Sequence, residues 1–209
     1  MATAIGYEQI VRMIRGGLEA IRAHHEELSR LDSALGDGDH GSAMLRAVEA
    51  AGKAIQQAAA GNTPKLLQQI AWGLMAAAGG APGPLFGSFF LGMSEAADEG
   101  EMDAPAVAAM FEAGLAKLRK QTKAQPGEKT MVDALVPAVE ALRGPPDVAA
   151  AMARAAEAAA QGAESTRDMQ AKHGKARHMG ERTLGHIDPG SMSVTYLFQG
   201  FAEGVARGS

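Results

Sequence analysis

The sequence predicts an all-α chain folded as an antiparallel up-and-down helical bundle or barrel, and three observations carry that expectation. Apolar residues recur at helical spacing, as at Ile10, Ile14, Leu18 and Ile21, which puts one apolar stripe along a helix. Aromatic residues make up only 4% of the chain while alanine and glycine abound; alanine is the best helix former, whereas strands favour β-branched and aromatic side chains. Stretches rich in proline, glycine, asparagine and aspartate separate the periodic segments at short intervals.

The first helix is expected from about Tyr7 to about Arg30, stopping before the glycine-rich stretch Leu35 to Gly41. Ser42, a good N-cap, starts the second, which ends near Gly61. Asn62-Thr63-Pro64 joins a cap to a proline at the first helical position and opens the third, which ends at Gly79-Gly80. The apolar run Leu85 to Met93 reads as strand or helix by periodicity alone; its helical neighbours and its continuation through Ala96-Ala97 favour a fourth helix. Asp103-Ala104-Pro105 opens a fifth, to about Lys120, and the sixth covers Met131 to Arg143 despite an awkward Pro137. Pro145-Pro146-Asp147 precedes an alanine-rich seventh helix to about Lys172, and an eighth runs from about Ser191 to Ala206. Eight helices with short loops and no linker make one domain over residues 1–209.

Bulk properties exclude several function classes. A chain of 209 residues that is 46% hydrophobic can bury one sizeable core. A net charge of -4 argues against a general nucleic-acid binder, which needs a basic face. No apolar run reaches the roughly eighteen residues of a membrane span, and the N-terminus MATAIGYEQI lacks the basic and long apolar regions of a signal peptide. With no cysteine there are neither disulfides nor thiolate metal sites. A cytoplasmic protein is the plain reading.

The sharpest chemical feature is LDSALGDGDHGS, in which Asp32, Asp37 and Asp39 fall close together with glycines around the last two. Carboxylate oxygens suit hard cations such as magnesium and calcium, and a divalent ion relieves the mutual repulsion of clustered aspartates. A polar turn in which Asp and Gly serve only as turn formers explains the composition equally well. The EF-hand pattern DxDxDG and its closing glutamate are absent. Magnesium typically joins a few carboxylates to substrate phosphates, and a helix starting just after Gly41 supplies N–H groups and a dipole that favour an anion.

Three further segments are individually weak. GGAPGPLFGS permits close backbone approach to a ligand ahead of a helix start, but no GxxxxGK[ST] loop occurs, and a tight turn explains it as well. In GEKTMVD, Thr130 reads as a cap with Asp133 three residues on. In GERTLGHIDPG, Asp188-Pro189-Gly190 reads as a turn. Zinc chemistry lacks an HExxH pair, and a nucleophilic serine lacks GxSxG; His40 is singled out only by its place beside the aspartates.

Together LDSALGDGDHGSAM, GGAPGPLFGSFF, GEKTMVDALVPA and GERTLGHIDPGSMS resemble, in family order, the nucleotide-binding L subunit of bacterial dihydroxyacetone kinases and the equivalent C-terminal domain of single-chain forms. The resemblance implies an eight-helix antiparallel barrel that clasps ADP or ATP at one end through two magnesium ions. Asp32, Asp37 and Asp39 match the metal ligands; His40, Gly41, Ser42 and Ala43 match the phosphate stretch. Ala81 and Pro82 match a phosphate-side loop, Met131 an adenine-side contact, and Asp188, Pro189 and Gly190 a loop closing over the nucleotide. Two positions depart from the family pattern: Pro82 has neither hydroxyl nor N–H, and Lys175 stands where arginine is common, with Arg177 nearby as a substitute.

The implied reaction is phosphoryl transfer to dihydroxyacetone or a related small ketose held by a separate K subunit as a hemiaminal on its histidine, so the chain alone is expected to be inactive. No catalytic residue is assigned to this chain itself. The phosphoryl donor is either a phosphohistidine protein of the phosphotransferase system acting on resident ADP, favoured by the stand-alone length, or exchanging free ATP. An erythrulose-type ketose is an alternative substrate. A non-catalytic nucleotide-binding regulator and a purely structural bundle are the rival classes, and the family association suggests a homodimer within a larger complex.

Overall fold

The structure, a computed structural model, describes residues 3–77 and 82–207. Nine α-helices occur among the described residues: α1 Tyr7–Ala23, α2 His25–Leu35, α3 His40–Gln57, α4 Thr63–Ala77, α5 Pro82–Ala96, α6 Ala104–Arg119, α7 Val132–Ala141, α8 Val148–Ser165 and α9 Pro189–Ala206. The only strands among those residues are the two-residue β1 Ala4–Ile5 and β2 Met102–Asp103, paired antiparallel. No helix of the described residues is long and apolar enough to cross a membrane.

Several helix starts follow directly from capping chemistry. Asn62 Oδ1 accepts from the Lys65 amide at 2.8 Å, Asp103 Oδ1 from Ala106 at 2.9 Å and Asp147 Oδ1 from Ala150 at 2.9 Å. Each satisfies an amide that the first helical turn leaves open. The run Leu85 to Met93 is helical, as its neighbours suggested.

From α3 onward each helix packs on the next, and α9 returns to pack along α1, so the helices close into a ring in chain order. The single first helix expected from the sequence is two: the chain breaks at His24, where φ is -109° and ψ 12°. No proline or glycine marks this break. The His24 ring stacks on Tyr196 of α9 with centroids 4.1 Å apart, and the Tyr196 hydroxyl donates to Glu27 Oε2 at 2.7 Å. Counted as one ring position, α1 and α2 restore the eight-position barrel.

The ring closes backbone to backbone. A β-carbon on Gly16 or on Gly200 would lie 2.2 Å from the other residue's carbonyl oxygen, and one on Gly204 would lie 2.5 Å from the Arg12 carbonyl. As α1 is followed backward from Gly16 to Arg12, α9 advances from Gly200 to Gly204, so the two run antiparallel. The interior is filled rather than hollow. Phe111 of α6 meets Phe89 of α5 and Phe198 and Phe201 of α9 at centroid distances of 5.6–5.9 Å, all fully buried.

Pro137 sits inside α7 without the amide that Asp133 O would need, and that carbonyl faces α8 where Gly162 carries no side chain; a β-carbon there would lie 2.2 Å from it. Three boundaries also differ from expectation. α3 starts at His40 with Asp39 as its N-cap, not at Ser42, and α9 starts at Pro189, not Ser191. The alanine-rich helix α8 stops at Ser165 rather than Lys172 and passes into a short 3₁₀ turn, Thr166–Asp168.

Gly200→Ala should therefore destabilise the fold by about 2–3 kcal/mol through overpacking. Gly52→Ala, in mid-α3 with nothing within 4 Å of its β-carbon position, should instead stabilise by up to about 1 kcal/mol. Urea denaturation of both variants checks the contrast.

Candidate functional site

Ring closure brings the start of α3 against the start of α9. The α2–α3 connection holds Asp37, Gly38 and Asp39, and Asp32 lies one turn back on α2. Gly38 has φ 76°, and a β-carbon would fall 2.4 Å from Ser33 Oγ, so this tight turn admits glycine on two counts. One carboxylate oxygen each of Asp32, Asp37 and Asp39 lies within 4.8 Å of the others. Asp37 and Asp39 are exposed and Asp32 is half-buried, an arrangement that a hard cation could join while keeping waters.

The surroundings of the triad are polarised. Asp32 Oδ2 accepts from the His40 amide at 3.2 Å, while the first-turn amides of Gly41 and Ser42 have no acceptor among the described residues. Those N–H groups and the α3 dipole face the end that carries the carboxylates. Gly41 is required by packing: a β-carbon there would lie 1.9 Å from the His25 carbonyl oxygen of α2. Ser42 Oγ donates to Asp39 O at 2.8 Å, and Ala43 is buried.

Lys175 forms an ion pair with Asp37, which raises the lysine and holds the Asp37 carboxyl below the usual aspartate range. Arg177 donates instead to His178 Nε2 at 3.1 Å, so the cation that reaches the aspartates is the lysine.

Across the site, Asp188 Oδ2 accepts from the Ser191 amide at 2.6 Å and caps α9, with Pro189 at the first helical position. The three-residue stretch Asp188-Pro189-Gly190, weighed from the sequence as a turn, is thus a helix start. Asp188 as a residue keeps partial exposure, but its carboxyl is densely enclosed, and that burial pushes it up to about 7, with Asp133 and Asp32 adding in the same direction. His40 Nε2 lies 2.8 Å from Ser193 Oγ, which itself donates to Pro189 O at 3.1 Å. Burial holds His40 below its ordinary value. Met131 comes within reach of Gly190, whose β-carbon would sit 3.4 Å from Met131 Cβ.

Residues 34–203 match the DAK2 domain family. The chain belongs to that family.

The DAK2 chain is 38% identical over 188 residues to the "PTS-dependent dihydroxyacetone kinase, ADP-binding subunit DhaL" of Lactococcus lactis, covering 90% of this chain and 92% of that one. It is 36% identical to the L-erythrulose 1-kinase of Mycolicibacterium smegmatis, covering 95% of this chain but only 36% of that longer protein. The crystal structure of the dihydroxyacetone kinase from C. freundii in complex with AMP-PNP and Mg2+ superposes with a TM-score of 0.75 at 25% identity, over 97% of this chain and 35% of that one.

Of the residues singled out in the DAK2 chain, Asp32, Asp37, Asp39, His40, Lys175, Asp188, Pro189, Gly190 and Met131 converge where α3, α7 and α9 begin. Pro82 opens α5. Ala81 lies outside the described residues. Sequence reasoning passed over Ser193, Thr166 and Lys129. Nothing in their local spacing marks the first two, and Lys129 stood inside GEKTMVD with no role of its own. Its ammonium instead turns inward, to Thr166 O and His186 O.

Because Asp188 is raised from an ordinary 3.8 to about 7, the folded chain keeps a proton that the unfolded chain releases. Its contribution to stability is full below about pH 4 and is lost as pH rises through 7. Asp188→Asn keeps the cap acceptor and should gain on the wild type in denaturant midpoint as pH rises from 5 to 7.5.

Proposed function

We propose that this chain is the nucleotide-binding subunit of a dihydroxyacetone kinase, holding ADP or ATP with magnesium where α3 and α9 begin. The observation that carries the reading is the convergence of three aspartate carboxylates, within 4.8 Å of one another, on a helix start with two amides that have no acceptor among the described residues. The relatives named for ADP binding, and the related kinase crystallised with AMP-PNP and Mg2+, support it.

In this reading Asp32, Asp37 and Asp39 hold two magnesium ions, which when bound would neutralise charge on the phosphate oxygens. The donor set fits: all three ligands are carboxylates, two of them exposed enough to leave positions for water and phosphate. The Gly41 and Ser42 amides orient the phosphates, with Ala43 completing the turn, and Ala81 and Pro82 serve as the phosphate-side loop. Lys175 leaves Asp37 to meet a phosphate as a point charge, without the fork an arginine would offer. Met131 and Gly190 make the rim toward the base, and Asp188 and Pro189 set the first turn of α9 that closes it. His40 is fixed by its contact with Ser193 of α9.

In this reading transfer needs a K subunit that presents the sugar, and the donor to resident ADP is a phosphohistidine protein. The Lactococcus relative, covered over 92% of its length, favours that scheme. The 36% identity to the L-erythrulose 1-kinase keeps a four-carbon ketose as a second reading of the substrate. Assembly as a homodimer would double the 21.5 kDa chain mass in light scattering.

Calorimetry with ADP and Mg²⁺ should show binding by the wild type and at least about tenfold weaker binding by Asp37→Ala. A wild type that binds no nucleotide overturns the proposal. Phosphoryl transfer to dihydroxyacetone should appear only when K subunit is added, and slow ADP release favours the phosphohistidine donor over exchanging ATP.

A further inference from the structure

Three unfavourable features coincide at Lys129. Its φ of 60° makes it the only non-glycine residue with positive φ among the described residues, a conformation that costs an L-residue about 1–2 kcal/mol. Its side chain is buried, the residue being 3% exposed. That burial depresses its pKa from the ordinary lysine value. Strain and a buried charge at one position persist only where the surroundings over-determine them.

The ammonium is what they hold. Nζ donates to Thr166 O at 2.5 Å, at the end of α8, and to His186 O in the segment leading to α9. Thr166 Oγ1 accepts from the Asp188 amide at 2.9 Å, and Arg167 closes a second link, its carbonyl accepting from Gly185 N at 2.8 Å and its Nη1 donating to Gly185 O at 2.9 Å. On the near side, Asp133 accepts from Gly127 N and Thr130 N at 2.5 and 2.8 Å, which shapes the turn that carries Lys129. The lysine thus joins the entry of α7, with Met131, to the segment that ends in Asp188 and Gly190. A simple turn at this place would need none of it: glycine would relieve the backbone, and an apolar side chain would avoid burying a charge.

We infer that Lys129 is a positioning residue for nucleotide binding, its ammonium pre-ordering the 184–190 segment so that the first turn of α9 meets the ligand without an ordering cost. The inference rests on the nucleotide reading above. A segment held in its bound conformation binds more tightly because less freedom is lost on association. Lys129 touches no substrate in this role and acts through the main chain of Thr166, His186 and Asp188.

The test measures MgADP affinity by calorimetry at low temperature, where the variants are folded by circular dichroism, together with the nucleotide dissociation rate. Lys129→Met should bind at least about tenfold more weakly and release faster. The chain has no cysteine, so Lys129→Cys can be aminoethylated uniquely in denaturant and refolded, which restores an ammonium of nearly lysine length. That product should recover most of the affinity, whereas the unmodified thiol should not. A merely structural lysine would lower the melting temperature but leave the folded protein's affinity where it was, and a folded Lys129→Met with wild-type affinity overturns the inference. If Lys129→Met does not fold, Thr166→Val decides, since it removes only the hydroxyl that holds the Asp188 amide: weaker binding supports the inference and unchanged binding overturns it. Failure of the wild type itself to bind MgADP would instead overturn the nucleotide reading.

Discussion

At the seam between α1 and α9 the two helix backbones touch. Gly16, Gly200 and Gly204 let two helix backbones approach until a single added β-carbon would overlap a carbonyl. Other neighbouring pairs also meet at glycines, as α7 and α8 do at Gly162, but their partners lie much nearer in sequence. The first and last helices are separated by most of the chain, and their contact carries the loop-closure cost of the whole barrel. It also sets the depth at which α9 lies against α2 and α3, and so the distance between Asp32 and Asp188.

Charge accumulates at the end of the barrel that this closure creates. Asp188 arrives from far along the chain to stand by the local group Asp32, Asp37 and Asp39, and Asp32 adds to the cost of ionising it. Lys175 relieves Asp37 from outside, through an exposed pair that solvent screens. Asp188 receives relief from the Ser191 amide and from Lys129 beneath, against a larger burial penalty. The starts of α3 and α9 add their dipoles from two sides. An acidic cluster beside amides that have no acceptor among the described residues suits a cation carrying an anion, which is what a magnesium nucleotide is.

Much of this was legible in local spacing. The caps at Asn62, Asp103 and Asp147 work as hydrogen bonds between near neighbours, and each marked a helix start correctly. The aspartate cluster was visible because its members are eight positions apart or fewer. His24 offered no such sign, since an ordinary helix-tolerant residue becomes a break only when Tyr196 stacks on it. The end of α8 was invisible for the same reason: alanines would continue the helix, but Thr166 gives its hydroxyl to the Asp188 amide and its carbonyl to Lys129.

By itself the sequence determined the helical class, most helix starts, and the residues from which a metal-phosphate site could be built, because periodicity, capping and carboxylate spacing act within a few residues along the chain. The tertiary structure alone decided which of those residues meet. It broke the first helix, set the start of α9 against the aspartates, and sent the Lys129 ammonium inward. Each of these depends on partners more than twenty residues away, and only a closed ring supplies them.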